Sequence, residues 1–226
     1  MFVVVPGVTV AMSMIVVIAD DLSGAAELAG VAWRHGLSAE VQTVFAPAAD
    51  VDVICVDTDS RSLLPEQAAS RVGAIASGVT ASRPAWIFKK CDSVLRGSVL
   101  AESRAIAAAA GKTRVSVVPA NPSRGRIIRD GNYFVQDQPL HGTAFARDPE
   151  HPRRTSRVKE MLGGDLTGVQ IPDATSIEEV TRYADEMTDD TLPVGAADFF
   201  GAILRRRVPS RTGTTKAETE TEKFAS

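Results

Sequence analysis

From residue 14 to about residue 208 the chain alternates short, uninterrupted apolar runs with longer stretches whose apolar positions recur every three or four residues. The first run, Ile15, Val16, Val17 and Ile18, shows no polar alternation, which predicts a strand buried on both faces, as in a mainly parallel sheet. It ends in Asp20 and Asp21. Ser23 and Gly24 then open a helix expected over Leu22 to Arg34, because a Ser oxygen can accept from the unpaired amides of a first turn and Gly tolerates tight turning. Ala25, Leu28, Ala29 and either Ala32 or Trp33 share one face of that helix, and Gly36 ends it. Further strands are expected at Ala39 to Thr43, Val51 to Asp57, Ala85 to Phe88, Val115 to Val118, Gly168 to Ile171 and Leu192 to Val194. Helices are expected at Pro65 to Ile75, with Pro at a harmless early position, and at Val99 to Ala110, Ser156 to Leu162 and Ala196 to Arg206. Ser176 to Met187 reads as an acidic amphipathic helix with a capping box of Ser176 and Glu179.

The recurring order of strand, polar edge and helix predicts an α/β fold: a mainly parallel, Rossmann-like sheet with helices on both faces. Asn132 to Val135 and Gln138 to Leu140 add a small β-hairpin arm, and Thr143 to Pro152 is too broken by proline for a helix. Residues 14–208 therefore form one expected domain. Residues 1–13 read as an N-terminal extension, and residues 209–226, nearly free of apolar side chains, as a disordered tail.

Composition narrows the functional classes. A chain of 226 residues that is 44% apolar can bury one sizeable core. A net charge of -3 and 5% aromatic residues give no reason to expect nucleic acid. Cys55 and Cys91 lie outside any CxxC, and His35, His141 and His151 are scattered, so no metal ligand is assigned and the thiols are expected to be reduced in a cytoplasmic protein. The apolar first 19 residues raise a signal peptide or membrane anchor, but they lack a basic flank, are interrupted at Pro6 and Gly7, and include the first strand. No membrane partner is expected.

Four strand ends carry mixed charge: Asp20 and Asp21; DTDSR at Asp57 to Arg61; KKCDSVLR at Lys89 to Arg96; and NPSRGR at Asn121 to Arg126. Open parallel sheets bind ligands along the carboxyl edge of their strands. One charged strand end is often only a solvated loop, and either Asp20 or Asp21 is enough to cap the first helix. The joint pattern suits a small polyhydroxylated anion, whose carboxylate or phosphate Arg and Lys would hold while Asp accepts from its hydroxyls.

The blocks IADDLSGA (Ile18 to Ala25), TDSR (Thr58 to Arg61), KKCDSVLRG (Lys89 to Gly97), PANPSRGR (Pro119 to Arg126) and Asp130 to Pro152 together resemble the N-terminal sugar-binding domain of the four-carbon acid sugar kinase family. Members are two-domain enzymes that phosphorylate acids such as threonate, erythronate or 3-oxo-tetronate with ATP. The resemblance implies catalytic Asp20 and Asp21, one of which orients the attacking hydroxyl and takes its proton. It also implies a substrate site on Ser23, Arg61, Lys89, Lys90, Asp92, Ser93 and Arg96, with Arg61, Lys90 and Arg96 on the carboxylate. Lys89 and Lys90 face opposite sides if both lie on a strand, and Asp92 can instead pair with Arg96 at i,i+4. Arg124 and Arg126 either reach the phosphate side or are solvated.

ATP and Mg²⁺ are implied as cofactors, bound mainly by the family's nucleotide-binding half, whose Gly-rich loops do not follow Arg206. The expectation is a substrate-binding half served by a nucleotide-binding subunit or working as a homodimer. The alternative is a non-catalytic sugar-acid-binding or partner-binding protein. A receiver-like or phosphatase-like fold with Asp20 and Asp21 on Mg²⁺ accounts for the first block alone. The chain departs from the family at Ser23 and Val94, both commonly Thr, and at Glu27, commonly Asp.

Overall fold

The structure is a computed structural model that describes residues 14–48 and 50–208. The expectations for residues 1–13 and 209–226 lie outside the described residues. Its centre is β1 (Ile15–Ala19), buried at every position, as a run without polar alternation requires. β1 pairs in parallel with β3 (Val53–Asp57) on one side and β4 (Trp86–Lys90) on the other, with Val17 opposite both Cys55 and Phe88. β2 (Ala39–Gln42) borders β3. Beyond β4 come β5 (Arg114–Val118), β9 (Val169–Gln170) and β10 (Thr191–Gly195), giving the order β2-β3-β1-β4-β10-β5-β9 with every pairing parallel.

Among the described residues six α-helices accompany the strands: α1 (Leu22–Arg34), α2 (Pro65–Ala81), α3 (Val99–Ala109), α4 (Val158–Leu162), α5 (Ile177–Asp185) and α6 (Ala197–Arg207). α2 packs on α3, whereas α1 and α5 pack on α6, so the two groups cover opposite faces. The core runs through both layers, from Leu28 and Ala32 of α1 across Val17 and Phe88 to Val72 and Ile106 of α2 and α3.

Several local expectations shift. α2 continues past Ile75 because Ala76 and Val79 keep the buried face going. Ala32, not Trp33, completes the buried face of α1; Trp33 is 74% exposed. The expected hairpin is a three-stranded antiparallel sheet of β6 (Arg126–Arg129), β7 (Asn132–Val135) and β8 (Gln138–Pro139). Arg126 to Arg129 forms a strand that the local pattern does not mark, because each Ile is flanked by an Arg, which reads as loop. Thr143 to Pro152 holds a single 3-10 turn, Ala144–Arg147, and no α-helix. α4 starts at Val158; Ser156 stays outside it, its hydroxyl bonded to His141.

Candidate functional site

The chain leaves β1 toward β2 and leaves β4 toward β5, yet β1 and β4 are neighbours. Their carboxyl ends therefore part at a topological switch point, where such sheets open a crevice. A pocket of about 590 Å³ lies there. It is lined by Asp21, Ser23, Gly24 and Glu27 from the start of α1, Arg61 after β3, Lys90 at the end of β4, Asp92, Ser93 and Arg96 after it, and Arg124 and Arg126 beyond β5.

The two neighbouring carboxylates take different places. Asp21 Oδ1 accepts the Gly24 amide at 2.9 Å, so Asp21 rather than Ser23 is the N-cap of α1, and Ser23 stands exposed at the pocket rim. Arg61 grips Asp21 with both terminal nitrogens, at 2.7 Å to each oxygen, and donates from Nε to Asp20 Oδ2 at 2.7 Å. Asp20 is only 2% exposed and sits behind the pocket. Burial opposes the Arg61 charge, but Asp20, Asp92 and Asp21 outweigh it and hold the guanidinium's pKa above its ordinary value. Gly24 has no room for a side chain, since a Cβ would lie 2.7 Å from Asp21 Oδ1 and 3.3 Å from Lys90 Cγ.

Both lysines lie on β4 and, as alternation requires, point to opposite faces. Lys90 lines the pocket, 3.4 Å from Glu27 Oε2, with its ammonium donating to the Cys91 carbonyl. Lys89 is wholly buried on the other side, 2.6 Å from Glu102 Oε2 on α3 and 4.0 Å from Asp20 Oδ1. Burial lowers the Lys89 pKa, but the Glu102 carboxylate, with Asp20 behind it, raises it further, for a net increase. Glu102 also accepts from Ser60 Oγ at 2.8 Å, and Ser60 touches Thr58 Oγ1, which donates to the Ala19 carbonyl. Thus the DTDSR segment divides: Thr58 and Ser60 turn inward, Arg61 enters the pocket, and Asp57 and Asp59 line a separate concavity with Arg71. One local signal marks Glu102: it is an acid on the same helix face as Val99 and Ile106.

The loop after β4 is wound around Asp92. Its Oδ2 accepts from the Val94 and Arg96 amides, and its Oδ1 takes Arg96 Nη2 at 2.8 Å. The i,i+4 pair with Arg96 is therefore real but made in a loop, two residues before the α3 N-cap, Ser98. Burial pushes the Asp92 carboxyl up, and Arg96, Arg61 and the Val94 amide more than reverse it, leaving it well below the usual carboxylate range. Asp148, brought by the arm, takes Arg96 Nη1 at 3.3 Å; nothing in the local pattern marks that contact. From the arm's sheet, Arg126 donates to the Ser93 hydroxyl and lies 5.9 Å from the centre of the Phe145 ring, while the buried Tyr133 hydroxyl donates to the Ser93 carbonyl. Cys55 and Cys91 are both buried, and burial pushes each thiol up to about 12.

Among the described residues no group of three or more His, Cys, Asp or Glu side chains could hold a metal ion. Asp20, Asp21 and Asp92 direct oxygens at arginines instead, so the donor set does not fit Mg²⁺. It fits an organic ligand that offers hydroxyls and an anionic group. No helix among the described residues is long and apolar enough to cross a membrane.

Residues 15–196 match the family described as a sugar-binding N-terminal domain. A D-threonate kinase of Salmonella typhimurium is 34% identical over 150 residues, covering 65% of this chain and 36% of that kinase. A D-erythronate kinase of Heliobacterium modesticaldum is 34% identical over 189 residues, covering 78% of this chain and 42% of that kinase. The chain thus spans less than half the length of either relative. A domain of unknown function from Bordetella bronchiseptica, a domain-swapped dimer with bound citrate, superposes with a TM-score of 0.78 at 27% identity, covering 86% of this chain and 57% of that one. The matched span opens with the first residue of β1 and closes just after β10, enclosing the parallel sheet and its polar crevice, and on that basis the chain belongs to the family of sugar-binding N-terminal domains.

Proposed function

We propose that this chain is the substrate-binding half of an ATP-dependent kinase for four-carbon sugar acids of the threonate, erythronate or 3-oxo-tetronate type. The observation that carries the reading is the Asp21–Arg61 clamp opening into a pocket where three acids, Asp21, Glu27 and Asp92, meet six cations, Arg34, Arg61, Lys90, Arg96, Arg124 and Arg126. Such a surplus of positive charge favours a small acid, and the interspersed carboxylates provide acceptors for its hydroxyls. The activities of the D-threonate and D-erythronate kinase relatives support the same ligand class.

Within the pocket, Asp21 is the acid placed to meet a hydroxyl. Its Oδ1 already accepts from Gly24 and Arg61, while Oδ2 accepts only from Arg61 and keeps a lone pair for the ligand. Asp21 orients the attacking hydroxyl and takes its proton; Asp20 holds Arg61 in place from behind. Ser23, Lys90, Asp92, Ser93 and Arg96 shape the remaining wall, and Lys89 supports the floor through Asp20 and Glu102. A nucleotide-binding half, in the same protein or in a partner subunit, would bring ATP and Mg²⁺, which supply the phosphoryl group. This reading implies a cytoplasmic protein. A homodimer is included in it, by analogy with the Bordetella structure.

The test is calorimetric titration of the chain with D-threonate and D-erythronate, beside an Asp21→Asn variant that keeps the helix cap but loses the charge. Binding of at least one acid, weakened at least tenfold in the variant, is the expected result. Absence of heat with both acids would refute the proposal.

A further inference from the structure

Not every cation in the pocket is equally available to a ligand. Arg61 already holds Asp20 and Asp21, Arg96 is clasped by Asp92 and Asp148, and Lys90 and Arg124 share Glu27. A second carboxylate brought to one of these must also approach the acid already there, and that repulsion cancels much of the gain. Arg126 differs. Among the described residues its guanidinium meets only neutral groups, the Ser93 hydroxyl and the Phe145 ring, and pairs with no carboxylate. Arg34 makes no ion pair either, but it is exposed and water can solvate it, whereas Arg126 is half-buried.

Arg126 is also held still. It begins β6, in register with Val135 of β7, and Phe145 of the following 3-10 turn lies against it. The same sheet fixes its neighbour, because Tyr133 of β7 holds the Ser93 backbone. An uncompensated, pre-positioned guanidinium and a hydroxyl on one wall form a set of donors that a carboxylate accepts.

We infer that Arg126 is the carboxylate anchor of this site: the acid group of the ligand binds at the arm side of the pocket against Arg126 and Ser93, leaving the ligand's hydroxyls toward Asp21. This rests on the sugar-acid reading above and deepens it. It also gives the antiparallel arm a role, since β6 and the 3-10 turn, rather than the parallel sheet, set the distance between the acid group and the hydroxyl that Asp21 can reach.

The experiment is calorimetry on wild type and an Arg126→Gln variant, each titrated with D-threonate, D-erythronate and the neutral polyol D-threitol, with thermal melting to confirm folding. Loss of one charge-assisted contact should weaken binding of whichever acid the wild type binds by about ten- to a hundredfold, with any threitol affinity unchanged and the melting temperature kept. Arg126→Lys, which retains charge without the planar fork, should recover part of the loss. If wild type binds an acid and Arg126→Gln binds it as well, the anchor assignment is overturned while the sugar-acid reading stands. Equal weakening of acid and polyol would also overturn it, since the arginine would then shape the pocket rather than hold the acid. If wild type binds neither acid, the sugar-acid reading falls and the anchor falls with it.

Discussion

Glu102→Gln is the most informative single perturbation of the floor beneath the pocket. Lys89 and Glu102 are 0% and 1% exposed, with 2.6 Å between Nζ and Oε2; the next carboxylate, Asp20, lies at 4.0 Å. At an effective dielectric near 20 these contacts correspond to about 6 and about 4 kcal/mol of attraction, before desolvation is subtracted. Gln keeps the volume and can still accept from Ser60 Oγ, so the variant removes the charge and leaves an amide NH2, a donor, facing the Lys89 ammonium in place of Oε2. Breaking a buried pair from one side costs about 3–5 kcal/mol, and because Asp20 remains we expect about 3 kcal/mol, a large share of the roughly 5–15 kcal/mol available to a domain. The assay is urea unfolding followed by far-ultraviolet circular dichroism. The raised Lys89 pKa gives a second check: the pair's contribution is complete below the ordinary lysine value of 10.5 and is lost only as pH rises through the higher folded value, so the loss should be the same at pH 6 and pH 9. Adding Lys89→Met to the variant should recover much of the stability. A loss under about 1 kcal/mol, or a double variant no better than the single one, would refute the view that this pair carries the charge of a dry interior.

Two further outcomes follow from the loop that closes the pocket. Because the Asp92 pKa is depressed, its contribution is present above the ordinary carboxylate range and fades as pH falls through the folded value; Asp92→Asn should cost about 1–3 kcal/mol at pH 7 and flatten the fall in urea midpoint between pH 5 and pH 2, and parallel curves would contradict this. Gly97 has φ +82, and a Cβ there would lie 3.1 Å from the Arg61 carbonyl oxygen, so Gly97→Ala should cost about 1–2 kcal/mol in melting experiments and weaken sugar-acid binding by displacing Arg61.

The reach of the local pattern is clearest along β4. The apolar run to Phe88 was legible as a strand, but its extension through Lys89 and Lys90 was not, because two lysines look like solvent-facing loop. Burial of Lys89 on that strand is compensated by Glu102, a residue thirteen positions later on α3, which neutralises its charge inside the protein. The opposite facing of the two lysines did follow from alternation alone. Asp21 as cap was one of two open choices in the sequence, and burial resolved it by taking Asp20 out of reach of the first helical turn.

Residue order alone was sufficient for the alternating α/β architecture, the placement of charged segments at strand ends and the family resemblance, because periodicity, caps and motif blocks are properties of neighbouring residues. The resemblance also named Asp20, Asp21, Ser23, Arg61, Lys89, Lys90, Asp92, Ser93 and Arg96 as one set; the fold lines the pocket with seven of them and buries Asp20 and Lys89 behind it. Folding supplied what depends on distant partners. The insertion of β10 between β4 and β5, the division of the acids and lysines between pocket and floor, and the delivery of Arg126 and Asp148 by the arm all arise from contacts across dozens of residues. A side chain's charge is written locally, but whether that charge is already compensated depends on what the fold packs against it.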